Sequence, residues 1–315
     1  MNVSPQVIAP RVIALVGFGE AGSAIARGLA AEGGWRGVSK PGDNAPRRLI
    51  AIDTALDEDT RGTALGNEAR RLDVAISADY TAALSEADLV ICAVQGEFAR
   101  DAALSAAPLL KKGALYLDLC TVTGKMSEED RGEIGTGAGH YIDVAVMGGF
   151  FSSGIKAQML VAGDGAEPLV AWMNDNGFVA SYLGPKPGSA SSVKMLRSVI
   201  VKGIEALAVE SFVAAERQGI LPEVMACLGD IDARTFAGSL SMLMQTHVVH
   251  AHRRWEEMGL VARTLRETGV EPLMTEATVK SHRRTVDAHI APADGKVPSL
   301  EDALKILSEK VVRGR

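Results

Sequence analysis

The residues that most clearly suggest chemistry in this 315-residue chain lie within one apparent helix, KPGSASSVKMLRSVIVKGIEALAVES (186–211). At 100° per residue, Lys194, Ser198, Lys202 and Glu205 fall within about 80° of one another, so they form one polar stripe on an otherwise apolar helix. Amines, a hydroxyl and a carboxylate on one face can transfer a proton to a substrate and bind its anionic group. A stripe that faces solvent is the alternative, because charged side chains are mostly exposed.

A glycine-rich loop near the start of the chain indicates a cofactor. The stretch VIALVGFGEAGSAIARGLA (12–30) forms the pattern G-x-G-x-x-G between a predicted strand and a predicted helix. Such glycines permit a tight turn, close approach of a pyrophosphate and close helix–strand packing, while the helix N-terminus stabilises the anion. The sequence therefore predicts a dinucleotide site formed by Gly17, Phe18, Gly19, Glu20, Ala21 and Gly22.

An acidic residue at the end of the second strand completes this prediction. Asp53, in RRLIAIDTAL, is placed to bind both ribose hydroxyls, and the polar insert 33–48 explains why it comes later than usual. A carboxylate there repels a 2′-phosphate, so NAD is favoured over NADP. Arg47, Arg48 and Arg61 keep NADP open, because a nearby arginine can neutralise that phosphate.

The elements that must position these residues follow from the hydrophobic pattern. Up to about residue 184, short β-rich runs alternate with helical ones, which predicts an α/β fold with a Rossmann-type doubly wound parallel sheet. After the breaker segment GPKPGS the pattern is helical throughout, which predicts a Rossmann domain over 1–186 and an all-helical domain over 187–315. The predicted strands are 11–17, 48–53, 73–77, 87–94, 113–119, 140–146, 157–163 and 178–184.

Composition narrows the class of protein. With 47% hydrophobic and 23% charged residues and a net charge of -6, the chain is typical of a globular protein and lacks the basic surface of a nucleic-acid binder. We find no apolar run of about 20 residues and no signal-peptide pattern, so we expect a cytoplasmic protein without a membrane partner. The three cysteines, Cys92, Cys120 and Cys227, are expected to be reduced thiols.

The chain resembles the β-hydroxyacid dehydrogenase family, which includes 3-hydroxyisobutyrate and 6-phosphogluconate dehydrogenases. The resemblance rests on the glycine loop 17–22, DLCT (118–121), DVAVMGG (143–149) and GSASSVKMLRS (188–198). The helical half, with GVEPLMTEAT (269–278), is closest to a little-characterised subgroup that carries its own C-terminal helical domain.

The resemblance implies roles for individual residues. Lys194 falls at the position of the family's catalytic lysine, which implies a general acid/base in a β-hydroxyacid dehydrogenase. The implied substrate-binding residues are Thr121, Met147, Gly148, Gly149, Ser198 and Lys202, and Ala93, Val94 and Thr121 join the cofactor site at the carboxyl ends of strands. Three positions depart from the family: Ser198 replaces an asparagine, Met147 a serine, and Val201 the glutamate that serves decarboxylation in the phosphogluconate type. We therefore expect simple dehydrogenation of a substrate that the sequence does not identify.

Two other functions stay open beside an NAD(P)-dependent oxidoreductase that acts on a β-hydroxy acid or its keto form. An imine reductase-like enzyme is one, although its family usually has another residue where this chain has Lys194. A non-catalytic sensor of nicotinamide dinucleotides is the other, and it would not need the lysine. We expect no metal site, because His247, His250 and His252 lack an acidic or cysteine ligand at matching helical spacing. We also expect a homodimer formed through the helical domain.

Overall fold

The computed structural model describes residues 9–31, 34–37, 46–137, 139–290 and 296–312, so much of the polar insert lies outside the described residues. The chain divides into two compact units, Met1–Arg197 and Ser198–Arg315. This division falls inside a helix, Ser189–Gln218. The breaker segment ends just before that helix begins, and the helix then continues without interruption from the first unit into the second.

The first unit is built on one eight-stranded sheet, and all eight predicted strands are confirmed. The sheet has the order β3-β2-β1-β4-β5-β6-β7-β8, and every neighbouring pair is parallel except β6 and β7, which are antiparallel. The predicted doubly wound parallel sheet is therefore confirmed as a mostly parallel sheet with one antiparallel pair. The strands are β1 Val12–Val16, β2 Arg48–Ile52, β3 Ala75–Ser77, β4 Leu89–Cys92, β5 Leu115–Asp118, β6 His140–Met147, β7 Gln158–Ala162 and β8 Val179–Gly184.

Helices cover both faces of this sheet, which explains why its strands are apolar on both sides. On β1, Ile13 and Leu15 belong to one buried cluster while Ala14 and Val16 belong to another. The helices of this unit are α1 Glu20–Ala30, α2 Asp59–Arg71, α3 Tyr80–Leu84, α4 Ala99–Ala106, α5 Gly124–Thr136, α6 Phe150–Ser153 and α7 Glu167–Asp175.

The remaining helices form the second unit, and α8 begins in the first. They are α8 Ser189–Gln218, α9 Leu221–Cys227, α10 Gly229–Asp232, α11 Phe236–Glu267, α12 Leu273–Asp287 and α13 Leu300–Lys310. Glu210 on α8 is buried and caps α12, because its carboxylate accepts the backbone N–H groups of Met274 and Thr275 and the Thr275 hydroxyl. Across the described residues, no helix combines the length and the apolar character needed to cross a membrane.

Candidate active site

The glycine loop has the geometry of a dinucleotide cradle. Gly17 has a φ of +89°, and a Cβ on it would lie 2.7 Å from the carbonyl oxygen of Ala93 and 3.1 Å from a methyl group of Val94. A Cβ on Gly22 would lie 2.0 Å from the carbonyl oxygen of Gly17. Both positions therefore require glycine, one for a left-handed turn against the end of β4 and one for close packing of α1 on the loop.

Gly19 differs, since a Cβ placed on it would meet no protein atom within 4 Å. It is the N-cap residue of α1, and its position has no side-chain cap, so the N–H groups of the first turn are available to an external acceptor. Glu20 is exposed and Ala21 half-buried on that turn. The open space beside free N–H groups at a helix N-terminus suits a pyrophosphate, and these residues fit a bound dinucleotide.

Asp53 is tied to this loop more directly than its sequence position indicates. One oxygen of its carboxylate accepts the backbone N–H of Phe18 at 2.8 Å, and the other accepts the N–H of Ala55 at 3.0 Å. The residue is only 9% exposed. Each carboxylate oxygen retains a second lone pair that could accept a ribose hydroxyl. Asp53 thus holds the glycine loop in place. The next residue, Thr54, is exposed.

The three arginines that leave NADP possible as the cofactor have different surroundings. Arg47 donates to the carbonyl oxygen of Trp35, and Arg48 forms an ion pair with Glu86. Arg61 is exposed near the start of α2, and within the described part of the chain it forms no ion pair. Arg61 is therefore the one of the three whose guanidinium is exposed and forms no ion pair among the described residues.

A group of buried polar side chains lies at the carboxyl ends of β4 and β5. The sulfur atoms of Cys92 and Cys120 are 3.6 Å apart, and both thiols are buried. Asp118 accepts the backbone N–H of Cys120 at 2.8 Å with one oxygen and the Tyr141 hydroxyl at 2.8 Å with the other. Burial raises the pKa of Asp118, while the bonds from Cys120 and Tyr141 lower it. Thr121 follows this group and is exposed.

The same group has ligand types that metals use, since the two thiols and the Asp118 carboxylate lie within 4.8 Å of one another. A metal ligand must be deprotonated. The hydrogen bond with Cys92 and burial both raise the pKa of Cys120 far above its usual range. Both Asp118 oxygens already accept hydrogen bonds within the protein. Cys92 and Cys120 are buried free thiols, and the third cysteine, Cys227, is exposed.

Lys194 lies in the second turn of α8, within the first unit, and is half-buried. Burial lowers the pKa of its amine, whereas Cys120 and Asp118 act in the opposite direction. Both of these groups belong to the buried cluster at the carboxyl ends of β4 and β5. The net result is a lysine with a pKa below its ordinary value, near a buried carboxylate.

The predicted substrate loop ends β6. Gly148 has a φ of +97°, and a Cβ on either Gly148 or Gly149 would meet no protein atom within 4 Å, so the backbone there is open to a ligand. Met147 instead packs with the buried Ala145 and Ala190. Of the two phenylalanines that follow the loop, Phe150 packs on the core and Phe151 is 94% exposed.

Ser198 and Lys202 belong to the second unit. Ser198 is half-buried, and Lys202 and Glu205 are exposed. Because α8 is continuous through these positions, the helical spacing that defines the polar stripe is confirmed.

The sequence analysis missed a buried network of Asp143, Ser191 and Ser127. Asp143 lies in the middle of β6 and is 0% exposed, and Ser191 lies in the first turn of α8. The available signal was an aspartate inside the otherwise apolar run HYIDVAV, because a charged residue is rarely buried without a partner.

Two of the three histidines of α11 contact other side chains. His247 is within 2.9 Å of the Thr285 hydroxyl, and its ring packs against that of His282. His252 is exposed and lies 3.8 Å from Glu256. His250 is half-buried.

The comparisons with known proteins agree with this geometry. Residues 12–121 match a family model described as NADP oxidoreductase, coenzyme F420-dependent, and residues 215–285 match a domain of unknown function, DUF1932. The first match and the glycine loop define the class of protein, an NAD(P)-dependent oxidoreductase with an NAD(P)-binding domain.

Solved structures give the family. A conserved hypothetical protein from Sinorhizobium meliloti is 30% identical, with a TM-score of 0.57, over 98% of this chain and 99% of its own. A second conserved protein, described as structurally similar to 3-hydroxyacid dehydrogenases, is 26% identical, with a TM-score of 0.56, over 88% of this chain and 97% of its own. An imine reductase from Myxococcus stipitatus in complex with NADP⁺ is 15% identical, with a TM-score of 0.71, over 94% of this chain and 100% of its own, and it shares the fold. The chain belongs to the same family as the Sinorhizobium protein. It carries the DUF1932 domain and is similar to 3-hydroxyacid dehydrogenases.

Proposed function

We propose that this oxidoreductase moves a hydride between a nicotinamide dinucleotide, NAD in preference to NADP, and a β-hydroxy acid or its keto form. The observation that carries the proposal is the environment of Lys194. Its amine is half-buried in the same unit as the dinucleotide cradle, close enough to Asp118 for the carboxylate to act on its charge. A lysine that only solubilises a helix has no need of such surroundings.

The nicotinamide, when bound, supplies or accepts the hydride. Lys194 takes the proton of the substrate hydroxyl in oxidation and returns a proton to the carbonyl oxygen in reduction. An ordinary lysine, with a pKa of about 10.4, holds its proton too tightly for this role at neutral pH. Burial lowers the pKa of Lys194 in the direction that the chemistry needs.

Binding of the substrate carboxylate is assigned to the loop after β6. The backbone N–H groups at Gly148 and Gly149 are open to a ligand, and neither residue has a side chain to block it. Ser198 and Lys202 follow Lys194 on the same side of α8 and supply a hydroxyl and a cation. Because Val201 replaces the decarboxylation glutamate of the phosphogluconate type, the enzyme does not assist decarboxylation of the product.

NAD preference and homodimer formation are parts of the same proposal. Asp53 supports NAD through its charge at the end of β2. Several large apolar residues on α8 are exposed, among them Leu196 at 70% and Val199 at 68%, and a second copy of the chain would bury them. A cytoplasmic location stays a prediction.

The direct test incubates the purified protein with NAD or NADP and a panel of 3-hydroxy acids, while the absorbance of the reduced cofactor is followed. We expect turnover with NAD for at least one acid and its loss in Lys194→Ala. Lys112→Ala, which removes an exposed lysine before β5, is the matched control and should leave the rate unchanged. Equal turnover in Lys194→Ala would contradict the acid/base role.

An imine reductase is the second candidate, supported by the fold that the chain shares with the Myxococcus enzyme. The same preparation should therefore be given a cyclic imine and reduced cofactor. Turnover of the imine, with none of the hydroxy acids, would favour that activity. Tight dinucleotide binding without turnover of either class would favour a sensor.

A further inference from the structure

The first turn of α8 is bound to the middle of β6 by one buried carboxylate. The hydroxyl of Ser191 donates to one oxygen of Asp143 at 2.6 Å, and the backbone N–H of Ser191 donates to the other at 3.1 Å. The hydroxyl of Ser127, on α5, donates to the Ser191 oxygen at 3.2 Å. All three residues are at most 3% exposed. Short charge-assisted bonds in a dry environment hold their geometry tightly.

Backbone packing restrains the same turn from another side. Gly188, just before α8, has a φ of +81°, and a Cβ on it would lie 2.4 Å from the carbonyl oxygen of Gly124 at the start of α5. A Cβ on Gly124 would lie 2.3 Å from the Ser192 hydroxyl. Together with the packing of Ala190 against Ala145, these contacts leave the start of α8 little room to shift.

This restrained turn lies immediately before Lys194. Lys194 is three residues after Ser191, so its Cα is about 4.5 Å further along the helix axis. In the other direction, β6 continues from Asp143 to its last residue, Met147. Gly148, whose backbone is open to a ligand, follows directly. Asp143 is therefore the point at which the strand that carries the substrate loop is joined to the helix that carries the lysine.

We propose that Asp143 is a positioning residue for Lys194, which sets the location of its amine by anchoring the first turn of α8 to β6. The inference rests on the proposed acid/base role of Lys194. It goes further by assigning a function to a carboxylate that is fully buried within the first unit. The competing explanation is that Asp143 only stabilises the fold, as a helix cap does.

A matched control separates these explanations. Glu210 is also a buried carboxylate that accepts two backbone N–H groups and a hydroxyl at a helix start, in its case at α12 in the second unit. Glu210→Gln and Asp143→Asn therefore remove the same kind of interaction, and both should lower the melting temperature. Only Asp143→Asn acts on the turn that precedes Lys194.

The first readout does not depend on the substrate. The pKa of the Lys194 amine is measured from the pH dependence of its labelling by an amine-reactive reagent, with the modified peptide quantified by mass spectrometry. Loosening the turn admits water to the amine, so Asp143→Asn should raise this pKa by about half a unit or more, towards that of an exposed lysine. Glu210→Gln should leave it unchanged. Ser191→Ala is a milder change that removes only the hydroxyl, so it should raise the pKa of Lys194 by less. It allows the proposal to be tested even if Asp143→Asn does not fold.

The second readout is turnover, where a substrate has been found. Misplacement of the amine should lower kcat by about tenfold or more in Asp143→Asn, with little change in cofactor affinity. The positioning role is overturned if Asp143→Asn and Ser191→Ala both keep the Lys194 pKa and kcat of the unmodified protein while they lose stability as Glu210→Gln does. Failure of the proposed function is recognised separately, because Lys194→Ala would then keep its turnover whatever the labelling shows.

Discussion

The backbone N–H of Phe18 donates to the carboxylate of Asp53 at 2.8 Å, across 35 residues of sequence. This bond joins the second residue of the glycine loop to the end of β2. In the proposed binding mode, Asp53 acts on the dinucleotide in two ways, by its charge beside the ribose and by the shape that it gives the loop. The two effects respond differently to substitution.

Replacement of Asp53 should distinguish its two effects. Asp53→Asn removes the charge but keeps an acceptor for Phe18, so it should relax discrimination against NADP with a modest loss of NAD affinity. Asp53→Ala loses both effects, so it should weaken NAD binding by about tenfold or more and also relax discrimination against NADP. Calorimetric titration with each dinucleotide measures both. Tighter binding of NADP than NAD by the unmodified protein would contradict the preference, and Arg61→Ala would then identify the partner of the 2′-phosphate.

The glycine loop offers a test of where the pyrophosphate binds. Gly19→Ala places a methyl group where no protein atom lies within 4 Å, so it should leave the melting temperature unchanged yet weaken dinucleotide binding. Gly17→Ala forces an alanine to a φ of +89° against Ala93 and should lower the melting temperature as well. Thermal unfolding with and without NAD separates the two variants. Unaltered affinity in Gly19→Ala would mean that the pyrophosphate binds elsewhere.

The pH profile tests the state of Lys194. Oxidation requires the neutral amine, so kcat/KM should rise with pH and level off below the ordinary lysine pKa of 10.5, because burial lowers the pKa of this group. Lys194→Arg keeps a positive charge but does not release its proton in this range, so it should be nearly inactive at every pH. Initial rates of cofactor reduction give both profiles. Near-normal rates in the arginine variant would mean that Lys194 contributes only its positive charge and does not transfer a proton.

Stability should depend on pH through His247. Burial lowers its pKa from 6.5 to about 4, and His282 and Arg254 act in the same direction. Between these values the unfolded chain binds a proton that the folded chain does not, so the free energy of unfolding should fall as the pH falls. His247→Gln should reduce this loss, whereas His252→Gln, at an exposed position, should not. Urea unfolding at several pH values between about 4.5 and 7 compares the three proteins. Parallel curves for the two variants would exclude His247 as the source.

Association through the exposed apolar side of α8 predicts a mass in solution near twice the 33.1 kDa of one chain. Val199→Glu, at a position that is 68% exposed, should shift the protein towards the monomer. Leu104→Glu, on the exposed side of α4, is the control and should leave the mass unchanged. Light scattering after size exclusion gives the masses. A monomer at micromolar concentration in the unmodified protein would count against the dimer.

Much of the fold could be predicted because its signals are local. A strand such as ADLVICAV shows its burial on both faces as a continuous apolar run, and the glycine loop shows its turn through residue types that only that backbone requires. The antiparallel pairing of β6 with β7 could not be predicted in this way. Strand direction depends on which neighbour supplies the hydrogen bonds, and each strand has the same pattern in either orientation.

In the candidate site, too, some features follow from local sequence patterns and others only from the tertiary structure. Residue type and spacing alone determined the cradle at Gly17 to Gly22, the polar stripe of α8 and the acidic position at Asp53, because helical and strand periodicity act over a few residues. Only the tertiary structure decided that Asp53 braces Phe18, that Asp118 lies near Lys194, and that Asp143 holds Ser191 from 48 residues away. A buried carboxylate needs hydrogen-bond donors because it has lost its contact with water. In the folded chain these donors come from residues that are distant in sequence, so local sequence patterns do not identify them.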